Sequence, residues 1–255
     1  MSTIHRLHVS AELALGAEIE LETAQAHYLQ RVLRLDVGAS IRLFNGRDGE
    51  WLAEILTAHR GRVLVTPREL SRHQPDHHAA PTLLFAPLKK TRTDFAVEKA
   101  TELGARRIQP IITKRTQTKQ IRNDRLESLV REAAEQTERL ELPTIEPGIP
   151  LFQALENWNP DEPLVFCDEA GDDQNALWGG EHGRALPMAE VISQFSSANG
   201  GVLIGPEGGF TLDERTQLKN LNFVYAVSLG PRILRAETAV VCALTIWQTE
   251  LGDWR

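Results

Sequence analysis

The chain has 255 residues, 28 Lys plus Arg, 35 Asp plus Glu and two Cys, with 42% hydrophobic and 25% charged residues. That mix excludes wholesale disorder, and two cysteines exclude a disulfide framework. The opening MSTIHRLHVS has no signal-peptide core, and the apolar stretch 239–247 is too short to span a bilayer, so a cytoplasmic protein without a membrane partner is expected.

The first third reads as short strands around one helix. Residues 4–9 alternate loosely, and residues 39–44 run into the turn Asn45-Gly46-Arg47-Asp48-Gly49, with a second strand over 50–56. Arg60-Gly61 precedes a strand over 62–66 that Pro67 should end. Between them Tyr28, Leu29, Val32 and Leu33 fall at helical spacing within 23–35. The set suggests a small β-barrel-like domain over residues 1–72. Residues 73–80 follow as a Pro/His-rich linker. Its histidines have neither Cys nor a second cluster beside them, so no metal is expected.

From residue 81 the pattern changes to strands alternating with helices, which predicts an α/β domain with a mostly parallel sheet over 81–255. Strands are expected at 82–86, 107–112, 163–167, 201–204 and 223–229, with Pro110 favouring an edge position. Helices are expected at 94–103, ended by Gly104, from Asp124 onward along the stripe Leu126, Leu129, Val130, Ala133, Ala134, Leu140, and at 237–251. Cys167 and Cys242 sit in apolar runs and read as small buried hydrophobes.

Charge is unevenly spread. Residues 87–125 carry 11 basic and 4 acidic side chains, whereas residues 126–255 carry 8 and 21. A basic block in an acidic chain is either a focused anion-facing surface or a solvated helix face.

Two segments concentrate the chemistry. In the first, Leu203-Ile204-Gly205-Pro206-Glu207-Gly208-Gly209-Phe210, an apolar strand stops at Gly-Pro and three glycines let backbone approach a ligand closely. Thr211 and Glu214 then form a capping box that starts a helix. The alternative is a plain tight connection. The spacing matches neither the dinucleotide nor the phosphate-loop pattern. In the second, Ser228-Leu229-Gly230-Pro231-Arg232-Ile233-Leu234-Arg235-Ala236-Glu237, a strand again meets Gly-Pro before a helix, and two arginines stand in an acidic half of the chain.

GPEGGFTLDE (205–214) and LGPRILRAETA (229–239) resemble the signature segments of the RsmE-type 16S rRNA (uracil-N3)-methyltransferases, of the trefoil-knotted SPOUT class. KATELGA (99–105), Glu135-Gln136 and HYLQRVLRLDVGASIRLFNG (27–46) extend the resemblance over nearly the whole chain, while 172–188 reads as a variable insertion. The resemblance implies a PUA-like RNA-binding barrel, a knotted α/β domain and a homodimer using S-adenosylmethionine, with 16S rRNA of the small subunit as substrate. It places the donor between Phe166 and Glu169, Leu203 to Gly208 (Ile204, Gly205, Pro206, Glu207 among them), and Leu229, Gly230, Ile233 and Leu234.

A guanidinium would stabilise charge that develops as uracil N3 loses its proton. Arg235, at the mouth of the second loop, is the first candidate, then Arg232 and Arg139. Glu207 and Glu237 are candidate proton acceptors or loop-orienting groups. An RNA-backbone surface would combine Arg6, Arg31, Arg34 and Arg42 with Lys89, Lys90, Arg92, Arg106, Arg107, Lys114, Arg115 and Lys119. Rival readings are a knotted methyltransferase with another target, a non-catalytic ribosome-assembly factor, and an enzyme binding another adenine cofactor.

Overall fold

The computed structural model describes residues 4–76, 79–118, 121–168 and 185–254. The chain forms two compact units, one of residues 1–77 with 134–142, the other of 78–133 with 143–255. A linear division of the sequence does not anticipate that residues 134–142 belong to the first unit.

The first unit holds β1 (Arg6–His8), β2 (Ile19–Glu20), α1 (Thr23–His27), β3 (Ser40–Phe44), β4 (Glu50–His59) and β5 (Arg62–Arg72). The strands make one curled sheet in the order β1-β3-β4-β5-β2. Alternating burial along β3 and β4 sends Ile41, Leu43, Ala53 and Ile55 into a core with Val63 and Val65. Pro67 does not end β5. The register shifts between Leu52 and Ala53, opposite Pro67, so the ladder accommodates a residue with no N–H to give. The helical stretch after α1 widens into a π-helical turn at Tyr28–Val32.

Arg6 is the keystone of this unit. Its guanidinium pairs with the fully buried Glu50 at 2.6 Å and donates to the carbonyls of Ala134, Glu135 and Arg139. Those carbonyls lie at and beyond the end of a helix, where acceptors lack intrahelical partners. Arg6 is therefore spent inside the unit, which corrects its assignment to an RNA-facing surface.

The second unit holds β6 (Pro81–Phe85), α2 (Lys90–Glu102), β7 (Arg107–Ile112), α3 (Asn123–Gln136, its last turn in the first unit), β8 (Thr144–Ile145), β9 (Ile149–Pro150), α4 (Leu151–Glu156), β10 (Leu164–Cys167), α5 (Met188–Ile192), β11 (Gly200–Ile204), α6 (Leu212–Lys219), β12 (Val224–Val227) and α7 (Ala236–Glu250). The strands run β12-β10-β11-β6-β7-β8, with every recorded pairing parallel. Strands buried on both faces need continuous apolar runs, and LLF in β6 and GVLI in β11 supply them.

Pro110 is not on an edge. β7 pairs with β6 along one side, while β8 covers Arg107 and Ile108 and β9 covers Ile111 and Ile112 on the other. Pro110 falls in the gap between those two short strands, where no N–H is required. Most of the 172–188 insertion lies outside the described residues.

Candidate functional site

The C-terminal ends of β10, β11 and β12 open into a cavity of about 440 Å³ in the second unit. Parallel sheets bind ligands there because connecting loops diverge at the carboxyl ends of the strands. Ile204, Gly205, Pro206, Glu207 and Gly208 form one wall, and Leu229, Gly230, Arg232, Ile233, Leu234 and Arg235 the other. The two glycine segments found in the sequence thus face one space.

Phe166 and Leu203 are corrected. Both side chains are fully buried in the core behind the cavity and neither lines it. Adjacent residues on a strand face opposite sides, so neighbours rather than these two reach the ligand space. Glu169 lies outside the described residues.

The first loop is pinned from several directions. A Cβ added to Gly205 would meet the Phe210 ring at 2.5 Å, and that ring packs edge-on against Phe166 with centroids 5.0 Å apart. Only glycine permits this approach. The Gly209 N–H donates to the Pro206 carbonyl at 2.8 Å. An Arg115 Nη donates to the Gly208 carbonyl at 2.8 Å and the Phe210 carbonyl at 3.4 Å. The Thr211–Glu214 capping box is formed, and the buried Glu214 also accepts from the Lys114 N–H at 2.8 Å. Glu207 accepts a hydrogen bond from Arg92.

The second loop is held mainly at its base. The Ser228 N–H donates to the Leu186 carbonyl, and the Met188 N–H to the Ser228 carbonyl. Gly230 has φ +114°, and a Cβ there would meet nothing within 4 Å. Ile233 is 54% exposed. Among the described residues, no hydrogen bond or ion pair engages the side chains of Arg232 or Arg235, both exposed. Arg235 is also the N-cap of α7 and makes no side-chain cap.

Cys167 and Asp168, within the expected 166–169 segment, line the cavity, and residues outside the expected segments complete the walls: Gly209, Phe210, Arg215, Val227, Ser228, Ala236 and Ala239. Asp168 and Arg215 form a buried bidentate pair, with Arg215 Nε to Oδ1 at 2.9 Å and Nη to Oδ2 at 2.6 Å. No local motif announces this pair, because its members lie 47 positions apart. Burial pushes the Cys167 thiol above its ordinary range, toward the protonated form.

The basic block is largely neutralised within its own unit. Arg92 lies against Glu207 and Glu237, Arg106 pairs with Glu162, Lys114 with Asp213 and Arg125 with Asp94. Of the surface expected there, Lys89 is exposed, the Lys90 side chain and Lys119 lie outside the described residues, and Arg107 sits 5.7 Å over the Trp158 ring. In the first unit Arg31 and Arg34 are exposed, while Arg42 approaches Glu50 at 3.5 Å. Arg139, also in the first unit, supplies its carbonyl to Arg6. No group of His, Cys, Asp and Glu suited to a metal occurs among the described residues.

Comparison with known proteins names this arrangement. Residues 76–248 match the model of an RNA methyltransferase domain, and residues 21–68 that of an RNA methyltransferase PUA domain. The α/β unit with its two-loop cavity and the curled sheet before it are therefore those of an RNA methyltransferase. The chain is 34% identical to the Rickettsia conorii ribosomal RNA small subunit methyltransferase E, over 94% of its length and 93% of the relative's. It is also 34% identical to the Synechocystis protein of the same name, covering 94% of this chain and 76% of that one. The crystal structure of the Neisseria gonorrhoeae methyltransferase E bound to S-adenosyl methionine superposes with TM-score 0.81 at 26% identity, covering 99% of this chain and 100% of the other. A Legionella pneumophila structure with bound cofactor SAM gives 0.80 at 26% identity over 98% and 99%. The chain belongs to the ribosomal RNA small subunit methyltransferase E family.

Proposed function

We propose that this protein transfers a methyl group from S-adenosylmethionine to N3 of a specific uridine in the 16S rRNA of the small ribosomal subunit. The supporting observation is how the cavity uses its arginines. Five line it. Arg92, Arg115 and Arg215 are engaged by protein groups, whereas Arg232 and Arg235 have no partner among the described residues. The two available guanidiniums stand together on the second loop.

The walls suit the donor. Ile204, Leu229, Leu234 and Ala239 offer apolar surface for an adenine ring, and the open space at Gly230 lets a ligand lie against backbone. Beside this apolar surface stand charged groups held by protein partners, Arg92, Arg115, Asp168, Glu207 and Arg215, so the site joins apolar surface with fixed charge. When bound, the donor supplies a methyl group made electrophilic by its sulfonium. The protein's share is alignment and charge stabilisation.

Uracil N3 becomes nucleophilic only as its proton leaves, here to solvent water at the open side of the cavity, and the resulting charge spreads over N3 and the adjacent carbonyl oxygens. Arg235, at the start of α7, is assigned to that charge, with Arg232 beside it on the same loop. A fixed guanidinium cannot take the proton, because it is already protonated. Glu207 and Glu237 both lie against Arg92, so they fit a role in holding loops better than a role as base. A base within a paired stem must be flipped out to reach such a cavity. Arg31 and Arg34 of the first unit, with Lys89 of the second, are proposed to meet RNA phosphates.

The protein is further proposed to be a cytoplasmic homodimer with a knotted second unit. Exposed Leu186, Tyr225 and Trp254 give that unit apolar surface for a second copy. No described helix is long and apolar enough to cross a membrane.

The test uses small subunits lacking the modification, incubated with protein and S-adenosylmethionine, and nucleoside mass spectrometry of the digested RNA. The expected product is 3-methyluridine. A different methylated nucleoside overturns the substrate assignment. No methylation and no thermal stabilisation by the donor overturn the whole reading.

A further inference from the structure

We infer that Arg92 is a positioning residue that ties the two walls of the cavity together, an inference that rests on the cavity being the donor site. Charge alone would assign Arg92 to RNA. Its geometry says otherwise. Arg92 lies in the first turn of α2, on neither loop, yet it reaches both. One Nη donates to Oε1 of Glu207 in the first loop, and Nε lies 3.5 Å from Oε1 of Glu237, in the first turn of α7 directly after the second loop.

Each carboxylate depends on this one guanidinium. No other cation within 4 Å of either is found among the described residues. Glu237 depends on it most, because its side chain is only 15% exposed. Its Oε2 is buried with no hydrogen-bond partner among the described residues, so Arg92 supplies the main compensation for that charge. Two residues upstream of Glu237 is Arg235, the N-cap of α7 and the group assigned to the reacting base. A chain of contacts thus runs from α2 through Glu237 to the start of α7, and a second from α2 through Glu207 to the glycine loop. Arg115 fixes that same glycine loop through its carbonyls, but it does not reach the second loop. Arg92 alone among the described side chains bridges both walls by ion pairing.

Loss of Arg92 should leave two acids unneutralised at the mouth of the cavity and free the walls to separate. The variants are Arg92→Ala, Glu237→Gln and the double variant. The first measurement is hydrogen exchange of the donor-free protein. Arg92→Ala should speed exchange about tenfold in both 204–210 and 228–238, leaving the central strands unchanged. The second is donor affinity by calorimetry. Arg92→Ala should weaken it about tenfold, and adding Glu237→Gln should recover part of that loss by removing the stranded charge.

A simple structural role would lower the melting temperature without this recovery. Unchanged exchange in both loops overturns the inference, and so do purely multiplicative effects on donor affinity. Loss of RNA binding with donor affinity intact would make Arg92 the RNA contact that its charge suggests. The exchange result does not depend on the ligand, so a wild-type protein that fails to bind donor would defeat the reading of the site while the clamp was still judged.

Discussion

The two glycine loops look alike in sequence, each a strand meeting Gly-Pro before a helix, yet they are held very differently. The first is pinned by a ring against Gly205, by two carbonyl contacts from Arg115, by a capping box and by Arg92. The second is tied at Ser228 and then presents Arg232, Ile233 and Arg235 to solvent. A fixed wall suits a small cofactor that must be held in one alignment. An open wall with uncommitted charge suits a large substrate that arrives and leaves. Loop chemistry is decided by what the neighbours have already claimed.

That contrast can be broken from either side. The largest effect is expected on the open loop: Arg235→Ala should lower methyl transfer by about 10²–10³, the range for removing one preorganised charge stabiliser. Donor affinity, read by calorimetry, should stay within about twofold. Equal loss of both would make Arg235 a loop-holding residue. Next comes the floor that both loops share. Arg215→Met removes the bidentate partner of the buried Asp168 and leaves only the longer Lys219 contact at 3.8 Å, so it should cost about 3 kcal/mol in denaturant unfolding, the low end for breaking a buried pair. The paired change Asp168→Leu with Arg215→Met should recover much of that loss.

The pinned loop responds to volume. Gly205→Ala drives a methyl into the Phe210 ring and should cost about 1–3 kcal/mol of stability, with weaker donor binding. Gly230→Ala places its methyl in open space, so only the strain of φ +114° remains. Its stability should fall less than that of Gly205→Ala, and the reverse order would mean that the second loop is the more tightly packed of the two. The smallest effect is on thiol chemistry. Burial raises both cysteine pKa values, the Cys167 thiol further, so at pH 8 iodoacetamide should label Cys242 faster and Cys167 hardly at all. The thiol contribution to stability is fully present below the unfolded-state pKa and is lost at more alkaline pH, as the unfolded chain ionises first.

Much of the architecture was legible in the chain. The switch from hairpin signals to alternating strands and helices separates a β-rich first part from the α/β part, and the strand positions of β6, β7, β10, β11 and β12 follow from their apolar runs. Such runs are local, and strands buried on both faces, as β6 and β11 are, have no other way to be written. The capping box at Thr211 was equally local, since its partners are three residues apart. Pro110 and Pro67 misled for the complementary reason. A proline forbids an N–H donor, but whether a partner strand asks for one depends on the neighbour's length and register.

The site divides the same way. Sequence alone determined which segments are glycine loops, where they sit in the strand-to-helix order, and which family they resemble, because backbone freedom and family signatures are properties of short contiguous stretches. Tertiary structure decided which side chains serve. Phe166 and Leu203 turned into the core, Arg6 closed on Glu50 and three carbonyls, and Arg92 and Arg115 became supports of the cavity wall. Arg232 and Arg235 were left without partners among the described residues. An arginine's charge is written in the chain, but whether that charge is already answered depends on partners scores of residues away, which only folding brings within 4 Å.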